Sequence, residues 1–96
     1  IDNFKQVNDR FSHQTGDFVL QRVGKILKRY VRGADVVARY GGEEFVILFP
    51  EASATEALIV CDRLREHIAA APWHELHEDL KITMSMGICD DISLVD

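Results

Sequence analysis

The stretch from Val36 to Pro50 limits the possible folds more than any other part of this chain. Val36-Val37-Ala38-Arg39-Tyr40 and Phe45-Val46-Ile47-Leu48-Phe49 are rich in β-branched and aromatic residues, and Gly41-Gly42-Glu43-Glu44 lies between them. Two such runs around a glycine pair predict a β-hairpin, because glycine takes the positive φ that tight turns between strands demand. The second run is apolar at every position, which predicts a central strand buried on both faces.

The flanking segments read as the layers that cover this hairpin. Phe4, Val7 and Phe11 lie three and four residues apart and predict a short helical turn within residues 1–13. Thr15-Gly16-Asp17 offers a helix start, and Val19, Leu20, Val23, Leu27, Tyr30 and Val31 form one apolar helical stripe, with Gly33 as the expected C′ residue. Ser53-Ala54-Thr55-Glu56 is a capping box opening a second helix. Ala57, Cys61, Leu64 and Ile68 mark its buried face, Asp62, Arg63, Arg65 and Glu66 the other, and Pro72 ends it. Residues 73–80 read as a loop, with Trp73 covering the edge of the core. Lys81 to Ile88 alternates polar and apolar, which predicts a strand with one covered face and Met84 and Met86 turned to the core. The order turn, helix, hairpin, helix, strand predicts helices packed on a sheet.

Composition narrows the class. The chain has 96 residues, enough for one domain with a modest core, and 47% hydrophobic against 28% charged residues is ordinary globular usage. The net charge of −5 argues against non-specific binding to nucleic acid or to an anionic membrane, which needs clustered Lys and Arg. No apolar run is long enough to span a membrane, and Asp2, Lys5 and Asp9 interrupt any signal-peptide core. Cys61 and Cys89 stand alone without a Cys-x-x-Cys spacing; two reduced, buried thiols in a cytosolic domain are expected, although counting leaves a disulfide open.

Gly41-Gly42-Glu43-Glu44-Phe45 carries the strongest chemical signal. Taken by itself it reads as an exposed hairpin turn with solvated glutamates. The alternative is a Mg²⁺ site: two adjacent carboxylates repel unless a cation sits between them, and Mg²⁺ commonly shares carboxylate and phosphate oxygens. His74-Glu75-Leu76-His77 falls one residue short of His-Glu-x-x-His and reads as a solvated loop.

The pentapeptide stands in a fixed order with Ile1-Asp2-Asn3-Phe4-Lys5-Gln6-Val7-Asn8-Asp9, His13, Gly16-Asp17, Arg32-Gly33-Ala34-Asp35 and Arg39-Tyr40. From Ile1 to about Ile88 the chain resembles the catalytic domain of GGDEF-family diguanylate cyclases. The resemblance implies an α/β (α+β) fold of the palm and adenylyl-cyclase type, with a central, mainly antiparallel sheet flanked by helices. It also implies condensation of two GTP into cyclic di-GMP, with two Mg²⁺ or Mn²⁺ ions per site, in a cytoplasmic homodimer controlled by an N-terminal sensor or receiver domain.

Carried over by position, Glu43 matches a metal ligand and candidate base, and Glu44 the other acidic group at the metals. Gly41 and Gly42 match positions that leave room for phosphates. Asn8 and Asp17 match the pair that bonds guanine, and His13 a histidine near the nucleotide. Lys5 and the backbone N–H of Phe4 match phosphate contacts, and the Ile1 carbonyl a metal ligand. Arg32 and Asp35, as Arg-x-x-Asp before the signature, match the site where product inhibits. Singly, each has a plainer reading: a helix-end Asn8, a dipole-stabilised Asp17, a solvated Lys5, or an Asp35 that caps a turn.

Against the family pattern, residues 1–96 form a partial domain. A further metal-binding aspartate and the first core strand are expected before Ile1, and a last helix after Asp96. Ser12 stands where the family has glycine. These 96 residues alone are therefore expected to be without cyclase activity. A non-catalytic receptor for cyclic di-GMP or GTP is the other function class.

Overall fold

The computed structural model describes residues 1–90. Residues 91–96, the end of the expected domain, lie outside the described residues. The elements run α1 (Phe4–Phe11), α2 (His13–Tyr30), β1 (Val36–Gly41), β2 (Glu44–Leu48), α3 (Ala54–Ala70) and a 3₁₀ turn (Trp73–Glu75). No described helix is long and apolar enough to cross a membrane.

α2 buries Val19, Leu20, Val23 and Leu27, the stripe expected from sequence, while Tyr30 turns outward and stacks on His67 with ring centroids 3.7 Å apart. The helix starts two residues before the expected signal. Ser12 is the N-cap, its Oγ accepting from Thr15 N at 3.2 Å, so Thr15 lies in the first turn and Asp17 just beyond it. Its end also differs from expectation: Val31 is the C-cap in extended conformation, and Gly33 has no positive φ. The Val31 N–H bonds Leu27 O at 3.3 Å, so this end needs no left-handed residue.

α3 matches the sequence reading closely. Ser53 Oγ accepts from Glu56 N at 3.2 Å and Glu56 Oε1 accepts from Ser53 N at 3.4 Å, closing the capping box. Ala57, Cys61, Leu64 and Ile68 are the buried positions. Burial pushes the Cys61 thiol pKa up, with Asp62 adding to the shift. Cys89, expected to be buried, is exposed.

β1 and β2 form an antiparallel hairpin with Val36 opposite Leu48 and Arg39 opposite Phe45, and an irregularity between Arg39 and Gly41. No described glycine has a positive φ, so the Gly41-Gly42 turn does not use the conformation expected of it. β2 is also not buried on both faces. Phe45 and Ile47 are half-buried against the core, whereas Val46 and Leu48 are exposed. An apolar run buries both faces only where two layers cover it, and among the described residues one does.

Val7, Val19, Val23 and Leu27 meet Leu64, Ile68, Trp73, Leu80 and Ile82 in one core. Trp73 is 2% exposed, a core residue rather than an edge cover. In the segment expected to be a strand, Ile82 is buried and Met84 and Met86 are half-buried, but residues 81–88 join no ladder among the described residues. Periodicity reports which side is covered; strand status needs a neighbouring backbone. Asp2 ties this segment to the chain start. Its N–H bonds Thr83 O at 3.0 Å, and its carboxylate accepts from Ser85 Oγ at 2.7 Å and Thr83 Oγ1 at 2.8 Å. Those hydroxyls, Ser85 first, hold the Asp2 carboxyl below its ordinary pKa.

Ser12 joins α1 to α2 with φ 119° and ψ 159°, a region that suits glycine and strains a side chain. Ser12→Gly relieves about 1–3 kcal/mol of strain. It gives back a few tenths for the lost cap and about 0.4–1 kcal/mol through the freer unfolded chain. The expected outcome is a higher denaturation midpoint, corresponding to a net gain of about 1 kcal/mol. An unchanged or lowered midpoint counts against strain at this corner.

Candidate functional site

The sequence-nominated residues gather in two places, one at each end of β1. At the first, the hairpin tip meets the chain start. The Ile1 nitrogen donates to Glu43 O at 3.1 Å, across 42 residues of sequence. Arg39 braces the same turn by donating from Nε at 3.0 Å and Nη2 at 2.7 Å to Gly42 O. Gly41, Gly42, Glu43 and Glu44 are all exposed at this tip. The arrangement holds the Glu43 backbone against the Ile1 nitrogen, with the Glu43 and Glu44 side chains exposed.

α2 packs on β1, and α1 packs on α2. Phe4 is half-buried, Lys5 is exposed, and His13 and Asp17 are exposed, the first and fifth residues of α2. The Asn8 side chain lies over Gly16. A Cβ at position 16 would stand 2.9 Å from Asn8 Cγ and 3.2 Å from Phe4 Cζ, and closer still to Asn8 Oδ1. Asn8 Oδ1 is buried with no hydrogen-bond partner. A buried acceptor without a partner is costly for folding alone. An open groove of about 450 Å³ runs from Asp17 along Leu20, Gln21, Gly24, Lys25 and Lys28 to Arg39 and Phe45 on the hairpin. Of the nominated residues, Asp17 alone lines it.

The second place is the turn from Arg32 to Asp35. Asp35 Oδ2 accepts from Arg32 N at 2.8 Å and lies 3.5 Å from Arg32 Nε, while Asp35 N donates to Arg32 O at 3.0 Å. The Asp35 side chain is fully shielded, and its Oδ1 has no partner. Arg32 Nη1 reaches Glu56 at 3.9 Å. The six residues of β1 separate this corner from the hairpin tip, roughly 15–20 Å of extended chain. In the histidine loop, His74 and His77 are exposed, and His77 packs on the Phe11 ring.

Among the described residues no group of three or more His, Cys, Asp or Glu side chains could hold a metal ion. Mg²⁺ is typically held by one or two carboxylates plus substrate phosphates rather than by an all-protein cage. The hard oxygen donors of Glu43, Glu44 and the Ile1 carbonyl fit that pattern.

A family model described as diguanylate cyclase, GGDEF domain, matches residues 1–91. The chain belongs to the GGDEF family. It is 48% identical over 88 residues to diguanylate cyclase DgcP of Pseudomonas aeruginosa, covering 92% of this chain and 13% of that protein. Its structure is similar to the active GGEEF domain of a diguanylate cyclase from Vibrio cholerae, with a TM-score of 0.79, 31% identity, and 86% and 52% of the two chains covered. It also resembles the GGDEF domain of DgcB from Caulobacter crescentus in complex with c-di-GMP, with a TM-score of 0.70, 37% identity, and 74% and 42% covered. These likenesses meet the expected GGDEF fold, and the chain spans a part of each relative. Within this GGDEF chain, two residues to which sequence reasoning gave no site role hold nominated ones in place. Arg39 braces the turn that carries Glu43, and Gly16 makes room for Asn8. A glycine inside a helix was the available signal for the latter.

Proposed function

We propose that these residues form part of a diguanylate cyclase catalytic domain that joins two GTP into cyclic di-GMP and releases pyrophosphate. The observation that carries the reading is the hairpin tip, where Glu43 and Glu44 stand exposed on a turn fixed by Ile1 and Arg39. The solved GGEEF domain described as active supports it, since its named signature is the one in this chain.

Asp17 accepts from guanine N1–H and the exocyclic amine, and Asn8 complements N3 and the amine. The Phe4 backbone N–H and Lys5 take phosphate oxygens, with His13 beside the nucleotide and Gly41 and Gly42 leaving it space. Glu43, Glu44 and the Ile1 carbonyl would hold two Mg²⁺ or Mn²⁺ ions, which neutralise triphosphate charge and acidify the attacking hydroxyl. Glu43 takes the proton of the 3′-hydroxyl as that oxygen bonds the α-phosphorus of the other GTP. The bond to the β-phosphate oxygen breaks and pyrophosphate leaves. The same exchange in the opposite sense closes the ring. The two GTP molecules sit on two copies of the domain, so a homodimer is the active form. A sensor or receiver domain controls its assembly in the cytoplasm.

A receptor reading draws on Asp35, whose Oδ1 is buried without a partner beside Arg32. Product binding at Arg32 and Asp35 accommodates that oxygen and makes the corner an inhibitory site of the cyclase. Arginine suits it because it pairs with phosphate and stacks on guanine.

The test incubates the natural polypeptide with GTP and Mg²⁺ and follows cyclic di-GMP by mass spectrometry. Product formation is expected, with Arg32→Ala weakening product binding about tenfold or more. Cyclic di-GMP binding without synthesis would establish the receptor instead.

A further inference from the structure

We infer that Gly16 is a positioning residue for base selection: its missing side chain is the shelf on which the Asn8 carboxamide lies beside Asp17. The inference rests on the reading that Asn8 and Asp17 take guanine, and it assigns a role to a residue that touches no substrate.

Gly16 is the fourth residue of α2 and is buried. Its N–H donates to Ser12 O at 3.1 Å, an ordinary helical bond, and its φ is not positive. The backbone therefore accepts alanine, and glycine is the poorer helix former. Space is the remaining reason for glycine here. A Cβ would collide with Asn8 Oδ1 and stand 2.9 Å from Asn8 Cγ. Nor does the local backbone let Asn8 retreat: Ser12 N donates to Asn8 O at 2.9 Å, fixing the end of α1. A side chain at 16 therefore turns the carboxamide away. The atom displaced is the acceptor that is buried and unpaired, Asn8 Oδ1. On a purine, the partner that guanine offers such an acceptor and hypoxanthine lacks is the exocyclic amine. Discrimination between GTP and ITP thus reports on the two amine contacts, one held by Asn8 and the other by Asp17, while triphosphate, ribose and metal contacts are common to both.

The experiment measures binding of GTP and ITP by calorimetry to the natural polypeptide and to Asn8→Ala, Gly16→Ala and the double variant. Hydrolysis-resistant analogues of both nucleotides are used. For Gly16→Ala, GTP affinity is expected to fall about tenfold while ITP affinity stays within about threefold, so the preference for GTP narrows by about threefold or more. In the Asn8→Ala background, adding Gly16→Ala is expected to change GTP affinity less than about twofold, because the two substitutions remove one interaction. Retention of the full GTP preference by Gly16→Ala, with its reduction in Asn8→Ala, overturns the role of Gly16 and leaves the guanine reading standing. A protein that never prefers GTP to ITP, or an Asn8→Ala variant that keeps the full parental preference, overturns the guanine reading and this inference with it. If Gly16→Ala alone fails to fold by circular dichroism, the double variant decides: removing the Asn8 side chain is expected to restore folding, and continued failure refutes the shelf.

Discussion

Glu43→Gln is expected to lower cyclic di-GMP formation by about 10²-fold or more, the size of a general-base contribution, while GTP binding changes little. Glu43 is held by its backbone, whose carbonyl accepts from the Ile1 nitrogen at 3.1 Å, and Gly42 O is held by Arg39. The substitution leaves that framework in place and removes one negative charge and one proton acceptor from the hairpin tip. Both proposed roles of the carboxylate, cation ligand and base, are lost together. The measurement is single-turnover product formation at saturating GTP and Mg²⁺, beside GTP binding without turnover. Product formed by Glu43→Gln at the parental rate would remove Glu43 from the chemistry. A large loss of GTP binding at unchanged turnover would recast it as a binding residue.

Trp73→Ala is expected to cost about 3–5 kcal/mol of folding stability, the range for removing a buried large aromatic. Trp73 is 2% exposed and packs in the cluster that joins α2, α3 and residues 80–82. It also closes the end of α3, because its Nε1 donates to Ile68 O at 2.6 Å. Trp73→Phe keeps most of the packing and loses that bond. Ile68 O retains the Ala71 N–H at 3.3 Å, so the expected cost is the net value of one hydrogen bond, about 0.5–1.5 kcal/mol. Trp73 is the chain's one tryptophan, so far-UV circular dichroism follows unfolding in these variants. An alanine variant within about 1 kcal/mol of the parent would show that the core does not depend on this residue.

Much of the local structure was legible because the signals that encode it act within one or two helical turns. The capping box of Ser53 and Glu56, the buried face from Ala57 to Ile68 and the stop before Pro72 all stand as read. The stripe of α2 was visible, but its start was not. Thr15 and Asp17 resemble caps in sequence, while Ser12 takes the cap only by adopting a φ of 119°, which no local preference predicts. The family motifs were legible in full, since a spaced series of residue types needs no coordinates.

The sequence alone determined one hairpin, two amphipathic helices, an acidic surface and a signature of the GGDEF family. Each follows from residue type, short-range periodicity or motif spacing. Tertiary structure decided that the apolar β2 run is covered on one side, that residues 81–88 alternate in burial without joining a ladder, and that Trp73 is core. It decided the site as well: Ile1 against Glu43 across 42 residues, Asp2 bonded to Thr83 and Ser85 across 81 and 83, and Asn8 resting on Gly16. The reason is physical. Periodicity records that a side chain is hidden, whereas the identity of what hides it is set when distant segments pack. Two of those placements, Glu43 beside Ile1 and Asn8 over Gly16, position the residues proposed to act.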